Sequence, residues 1–89
     1  NEEEHLIVLS VPGNFTKAKQ VLDYLTRMRS QDFSLNESDH PLCVPGRTGE
    51  IMIDGKTVGF IGEIHPKVLS EKGIDVPVSV FEICIDKTL

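Results

Sequence analysis

The pattern of hydrophobic and polar positions predicts seven elements in the order strand, helix, three strands, helix, strand. The first strand is the apolar run from Leu6 to Ser10, which Pro12 and Gly13 close. Its apolar residues follow one another without polar interruption, which is typical of a strand buried on both faces. We therefore expect a central strand at this position.

A helix is predicted next, because apolar residues recur three and four positions apart between residues 15 and 28. The residues of this stripe are Phe15, Ala18, Val21, Leu22, Leu25 and Met28. Asn14 precedes them, and asparagine is a favoured residue at helix N-caps. We expect an amphipathic helix with one face against a sheet, ending near Arg29 and Ser30.

The middle of the chain is predicted to contain a short edge strand and a hairpin. Phe33 to Leu35 has the length of a short strand, and residues 36–45 form a polar stretch that we expect to be a loop. Ile51 and Ile53 then alternate with polar or flexible residues up to Asp54-Gly55. Asp-Gly between alternating hydrophobic residues is a strong hairpin signal, because both residues tolerate a positive φ.

The strand that returns from this hairpin runs from Lys56 to Ile64. Its alternation is interpreted as placing Val58, Phe60 and Ile64 on one face. Gly59 and Gly62 indicate a bulge or the close approach of another backbone.

The last two elements are a short helix and a strand. His65-Pro66 starts the helix, with Pro66 at its first position and Gly73 as its C-terminal cap. The final strand, residues 78–85, places Phe81, Ile83 and Ile85 on one face. The architecture is therefore an α+β fold, a mostly antiparallel sheet with two helices, in a single unit comprising residues 1–89.

Composition narrows the possible functions. A net charge of -5 over 89 residues disfavours a self-contained nucleic-acid binder that acts through electrostatics. Apolar runs stay well short of the roughly 18 residues that a membrane span needs. The chain opens with acidic residues where a signal peptide is basic, so we expect a cytoplasmic protein with reduced thiols. It does not open with Met, which suggests a fragment or a processed chain.

The residues of this chain could supply two kinds of chemical site, a metal site and a pair of catalytic carboxylates. Four residues could form a metal tetrad, namely His40, Cys43, His65 and Cys84. Because their spacing is unlike that of a zinc finger, we predict no metal site. The candidate acids are Glu50, Asp54, Glu63 and Glu82, which we interpret as side chains on a solvated sheet face. We predict no catalytic residue.

Two groups of cations remain. The glycines around Arg47 lead into a strand, whereas phosphate loops lead into a helix, so we interpret Arg47 as an ion-pair residue. The predicted first helix carries a modest basic surface, which we interpret as a solvated helix face. Its residues are Lys17, Lys19, Arg27 and Arg29.

Several blocks of the chain nevertheless resemble one known family. They are Asn14 to Lys19, Asp39-His40-Pro41, Pro45-Gly46-Arg47, Glu50-Ile51, Ile53-Asp54-Gly55, Val58 to Pro66 and Val80 to Ile83. The chain is similar, over most of its length, to the carboxy-terminal part of the β chain of phenylalanyl-tRNA synthetase, in its archaeal and eukaryotic form. It departs from the family at Thr48-Gly49, where small residues such as alanines are usual, and has Val44 where bacterial relatives carry histidine.

The resemblance implies a module like a class II synthetase catalytic domain that has lost its active site. It implies that catalysis belongs to the α chain of an α2β2 heterotetramer, and that this ligase uses ATP and magnesium. We expect no catalytic, cofactor-binding or metal-binding residue in this segment, and no activity from it alone. The expected partners are the α chain and the remainder of the β chain, with tRNA contacted only through the parent complex and no membrane.

The segment is accordingly expected to be a non-catalytic scaffold that supports α–β assembly for aminoacylation of tRNA(Phe). The structural or interface candidates are Pro45, Gly46, Arg47, Gly59, Gly62, His65 and Pro66. The alternative is a free-standing, non-catalytic binding module of the same fold, which contacts RNA weakly or another protein. An independent enzyme is a distant third possibility.

Overall fold

The computed structural model describes the backbone of residues 4–86 and the side chains of residues 8–84. Five antiparallel strands form one sheet in the order β1-β5-β4-β3-β2, and helix α1 packs across one face of it. The elements are β1 (Glu4–Pro12), α1 (Phe15–Met28), β2 (Ser34–Glu37), β3 (Cys43–Ile53), β4 (Lys56–Ile64), α2 (Pro66–Glu71) and β5 (Val78–Asp86). The α+β class and the predicted element order are confirmed.

Strand β1 is an edge strand, so the expectation of a central strand was wrong. It pairs antiparallel with β5 and stands at the end of the sheet order. Val11 faces α1 and is buried, whereas Val8 points to the opposite face and is 62% exposed. The unbroken apolar run does not produce burial on both faces, because α1 covers only one of them.

Helix α1 begins at the predicted cap. The side chain of Asn14 accepts a hydrogen bond from the backbone N–H of Lys17 over 3.0 Å. Leu22 is fully buried, and Thr26, one turn later, is also buried and its hydroxyl donates a hydrogen bond to the Leu22 carbonyl oxygen. Met28 was wrongly placed on the buried stripe, since it is 68% exposed. It follows Leu22 by six residues, a rotation of about 240° that points it away from the sheet.

The β3–β4 hairpin forms at Asp54-Gly55, where both residues have positive φ, 52° and 76°. Ile51 pairs with Gly59, but the next residue, Met52, pairs with Thr57. Val58 is therefore an extra residue in β4. Val58 therefore packs toward the core under α1, whereas Phe60 stacks against His40 on the other face. The interpretation that Val58 shares a face with Phe60 and Ile64 was wrong for Val58, while Phe60 and Ile64 do share a face. The predicted loop over residues 36–45 is also shorter, because β2 ends at residue 37 and β3 begins at residue 43.

The core lies between α1 and the middle strands of the sheet. Its fully buried members are Ala18, Leu22, Ile51, Ile61 and Phe81. Phe81 and Ile83 share the core face of β5 as predicted, whereas the side chain of Ile85 lies outside the described residues. One sheet face and one helix face thus supply the hydrophobic layer that positions the rest of the chain.

Candidate functional site

Three segments meet at the carboxylate of Glu63, near the end of β4. One oxygen of Glu63 accepts the backbone N–H of Phe15, the first residue of α1, over 2.8 Å. The other oxygen accepts a hydrogen bond from Nη1 of Arg47 over 2.9 Å. We call Phe15, Arg47 and Glu63 the Glu63 junction.

The junction places a negative charge at the N-terminus of α1. The first N–H groups of a helix have no partner within the helix and together carry a partial positive charge. The first turn of α1 contains no acidic residue. Glu63 supplies the negative charge from the sheet instead, because it follows the buried Ile61 by two residues and so shares the face that points toward α1.

The burial of the two partners is unequal. The Glu63 side chain is 9% exposed, whereas that of Arg47 is 58% exposed. The interpretation of Glu63 as a solvated acid was therefore wrong, although Glu50 and Asp54 are exposed. Arg47 forms the ion pair that its guanidinium fork suggested, and its role in assembly stays a prediction.

The neighbouring strand also fixes the entry into α1. The buried hydroxyl of Ser79 donates to the carbonyl oxygen of Gly13 over 3.0 Å, and the N–H of Gly13 donates to the Pro77 carbonyl oxygen over 2.9 Å. Ser79 lies opposite Glu63 in the β4–β5 ladder. The start of α1 is thus hydrogen-bonded to both β4 and β5, at the paired residues Glu63 and Ser79.

Pro45 and Gly46 place Arg47 at this level. They lie in an irregular part of β3, between the pairs Cys43–Ile64 and Thr48–Gly62. Gly46 has a φ of +83°, and the Thr48 hydroxyl donates to the Val44 carbonyl oxygen over 2.9 Å. The Pro-Gly pair therefore sits in a local distortion of β3, directly before the residue that reaches Glu63.

Gly59 and Gly62 both lie where another part of the chain approaches closely. A Cβ atom on Gly59 would lie 1.7 Å from the Glu82 carbonyl oxygen, so the approach there is by backbone. A Cβ on Gly62 would lie 2.7 Å from the Cys43 sulfur. The sheet geometry thus requires glycine at Gly59, where the approach is by backbone, whereas at Gly62 the side chain of Cys43 would have to move.

His65 and Pro66 start α2. Pro66 occupies the first helical position, and Nδ1 of His65 accepts the Lys67 N–H over 3.1 Å. The backbone N–H of His65 donates to the Leu42 carbonyl oxygen over 2.9 Å, which ties α2 to the loop before β3. Gly73 follows the helix with a φ of +75°.

The four residues weighed as metal ligands have other environments. The His40 ring stacks on Phe60 with centroids 4.9 Å apart, and Cys43 is buried against Gly62. Cys43 and Cys84 are both thiols. Across residues 8–84 we find no group of three His, Cys, Asp or Glu side chains placed to hold a metal ion. Burial raises the pKa of the Cys43 thiol, and a hydrogen bond with Thr48 opposes that rise.

A groove of about 350 Å³ lies between α2 and the segment that leads into β5. Its walls include Ile64, Leu69 and Val76, with the carboxylates of Glu63 and Asp75 at its edges. Glu63 is already engaged in the junction. The groove therefore offers a mainly apolar surface, with Ser70 and Asp75 among its lining residues.

The basic residues of α1 have local contacts. Arg27 pairs with Asp23 over 3.0 Å, and the Lys19 ammonium lies 5.0 Å from the centre of the Phe15 ring. Arg29 contacts the side chain of Gln31. No helix of the described chain is long and apolar enough to cross a membrane.

The comparison with protein families decides the affiliation. The family model described as "Phenylalanyl tRNA synthetase beta chain CLM domain" matches residues 2–85. The chain belongs to this family. The resemblance drawn from the Pro-Gly-Arg and Val58 to Pro66 blocks is confirmed.

Relatives within the family are archaeal β subunits of phenylalanine–tRNA ligase. The chain is 49% identical to the subunit of Pyrococcus furiosus and 42% identical to that of Thermococcus kodakarensis, in both cases over 93% of this chain and 15% of the relative. It is 41% identical to the subunit of Methanococcus maripaludis over 82% of this chain and 13% of the relative. The chain thus spans about one seventh of the length of these relatives.

Sequence reasoning missed the Glu63 junction as a unit. Arg47 was singled out, but its buried partner was grouped with surface acids. The available signal was the position of Glu63 two residues after Ile61 in a strand, which places both on the same face. The contact with Phe15 carried no local signal, because the two residues are 48 positions apart.

Proposed function

We propose that this chain is a non-catalytic structural segment of a phenylalanine–tRNA ligase β chain. It completes a module similar to a class II synthetase catalytic domain and supports assembly with the α chain. The observation that carries the proposal is the Glu63 junction. Its Arg47 and Glu63 come from the two most family-like blocks, and they bind each other and a helix terminus.

The shape of the sheet supports a role within a larger assembly. Within residues 4–86, β1 pairs with a strand on one side only, and the face opposite α1 carries exposed Val8. An edge strand offers N–H and C=O groups for pairing with a further strand. A segment that covers one seventh of its relatives would be continued here by the rest of the β chain.

ATP, magnesium and tRNA enter this proposal only through the parent enzyme. The junction uses its arginine internally, and an arginine already paired with a buried carboxylate is a poor phosphate ligand. The segment is therefore proposed to act by holding subunits together in the cytoplasm and to have no ligase activity when isolated.

The first experiment measures assembly directly. The chain is run alone on a sizing column with light scattering, and then together with a matching α chain. We expect a mixed peak of defined stoichiometry. If the chain stays monomeric and does not bind the α chain, the result would contradict the proposal and favour a free-standing module.

The second experiment tests Arg47 in a full-length β chain that carries this segment. We expect Arg47→Ala to lower the yield of α2β2 tetramer more than it lowers the melting temperature, because the Arg47 side chain is largely exposed. Lys56→Ala is the control, since it removes an exposed cation at the β3–β4 hairpin, away from the junction. A large loss of fold stability with intact assembly would show that Arg47 is purely structural.

A further inference from the structure

The two edges of the sheet differ in length and composition. Strand β1 has nine residues, Glu4–Pro12, whereas β2 has four, Ser34–Glu37. Within residues 4–86, each of them pairs with a neighbouring strand on one side only. Residues 6–11 of β1 are five apolar residues and one serine, while β2 is mostly polar and ends in an acidic residue. The β1 edge is thus the longer and the more apolar of the two.

Strand β1 is weakly protected against pairing with another chain. Protected sheet edges are commonly short, interrupted by a bulge, or marked by Lys or an internal Pro. Strand β1 pairs with β5 in an unshifted register from Glu4 to Pro12, and that proline is its last residue. Residues 6–12 carry no charge. The outer N–H and C=O groups of β1 therefore form a regular row that a further strand can bind.

Strand β1 is self-complementary in an antiparallel pair. Residues that face each other in an antiparallel ladder point to the same side of the sheet, so a two-fold axis between identical strands must place one residue opposite itself. Val8 is the midpoint of Glu4–Pro12, and a pair centred on it engages all nine residues. Glu4 then lies opposite Pro12 of the second copy, so like charges do not face each other along the ladder.

The side chains near the centre of β1 would gain contacts in such a pair. Val8 is 62% exposed and would lie directly opposite Val8 of the second copy, and β-branched residues pair favourably across strands. Leu9 is half-buried at the margin of the core, and a further strand would cover more of it. Both faces of the sheet would therefore gain apolar burial at the new contact.

A second copy fits this edge without a steric clash. The partner strand must be as long as β1, uncharged near its centre and open on one side, and β1 of another molecule has all three properties. Helix α1 lies mainly over β4 and β5, not over the edge. With strands about 4.8 Å apart, the two copies of α1 would lie on the same face about 15–20 Å apart, beyond the contact distance of packed helices.

We propose that the β1 edge is a homodimer interface, at which two copies of this chain pair antiparallel about Val8 and join their five-stranded sheets into one. The pair occupies both β1 edges and leaves only the short β2 edges open, so the assembly closes at two chains. One strand pair is a small interface, so the dimer dissociates on dilution. This inference goes beyond the proposed function, in which the rest of a β chain continues the sheet at the same edge, and it concerns the 89-residue chain by itself.

The test is light scattering of the chain alone over a series of concentrations. We expect a mass of twice 9.9 kDa at high concentration and a fall toward 9.9 kDa on dilution. Val8→Lys places two ammonium groups opposite each other at the centre of the pair and should weaken the dimer at least about tenfold. Leu42→Lys is the matched control, because Leu42 is 50% exposed and precedes β3, away from the β1 edge. Melting temperatures of both variants, measured at low concentration, should differ little from that of the unmodified chain, since both positions are exposed.

Amide hydrogen exchange locates the interface. We expect the protection of residues 4–12 to rise with chain concentration, while that of residues 34–37 stays constant. A monomer at every concentration overturns the inference, as does an oligomer larger than two. So does an equal loss of dimer with Leu42→Lys, or protection that rises with concentration outside β1.

The two proposals fail in different experiments. If the proposed function is wrong, the chain does not join the α chain in the mixing experiment, whatever the dilution series shows. If only this inference is wrong, the chain joins the α chain but stays monomeric when alone.

Discussion

The two faces of the sheet differ in how completely they are packed. On the face under α1, Leu22, Ile51 and Phe81 are fully buried and form one continuous core. On the other face, His40 stacks on Phe60 and the buried Cys43 lies against Gly62, whereas Val80 and Cys84 are half-buried. Val8, on the edge strand β1 of that face, is largely exposed to solvent.

The difference shows that most of the hydrophobic burial in the described chain lies on one side of its sheet. A small domain has little surplus stability, so a second, mostly open face suits a segment that other parts of an assembly complete. The junction at Glu63 lies on the packed side, because it depends on the N-terminus of α1. Substitutions on the two sides should therefore have very different effects.

The largest effect is expected for Gly59→Ala. Its Cβ would overlap the Glu82 carbonyl oxygen, so β4 and β5 would have to separate, which we expect to cost more than about 4 kcal/mol or abolish folding. Gly62→Ala is the matched control, because its new methyl meets the side chain of Cys43, which can move. Urea unfolding measures both, and equal losses would contradict the assignment of a backbone contact at Gly59.

A direct comparison of the faces pairs Leu22→Ala with Val8→Ala. Truncating a fully buried leucine leaves a cavity and should lower the free energy of unfolding by about 3 kcal/mol. Truncating the exposed Val8 should change it by less than about 0.5 kcal/mol. If Val8→Ala costs as much as Leu22→Ala in an otherwise monomeric chain, the open face is packed in solution.

A smaller effect is expected at the junction. Glu63→Ala removes the acceptor of the Phe15 N–H and the partner of Arg47, and should cost about 2 kcal/mol. Glu63→Gln keeps an acceptor and should cost roughly half as much. Thermal unfolding of the two variants tests this order, and a Gln variant less stable than the Ala variant would refute the capping role.

The smallest effect concerns Cys43 on the less complete face. Because burial raises the pKa of this thiol in the folded state above its ordinary 9.0, its contribution to stability is complete below pH 9.0 and is lost as pH rises above it. For one titrating proton, the free energy of unfolding falls by at most about 1.4 kcal/mol per pH unit. Unfolding free energies from pH 7 to 10.5 should fall less steeply in Cys43→Ala, and identical slopes would show that Cys43 is not buried in solution.

Several features could be derived from the chain alone because local rules govern them. The Asn14 cap, the turn at Asp54-Gly55 and the proline at the start of α2 each depend on residues within one turn of one another. The family affiliation was likewise available from contiguous blocks. The glycines of β4 indicated close approach, but they did not reveal which backbone approaches Gly59.

The elements, their order and the family were thus predictable from the chain, because backbone conformation responds mainly to nearby residues. The edge position of β1 was not predictable, because an apolar run looks the same whether one face or two are covered. The tertiary structure alone decided this position and the burial of Glu63 between Arg47 and the start of α1. A carboxylate is buried between a helix N-terminus and a cation only when distant segments bring both groups to it. The local sequence around Glu63 contains no pattern that predicts these long-range contacts.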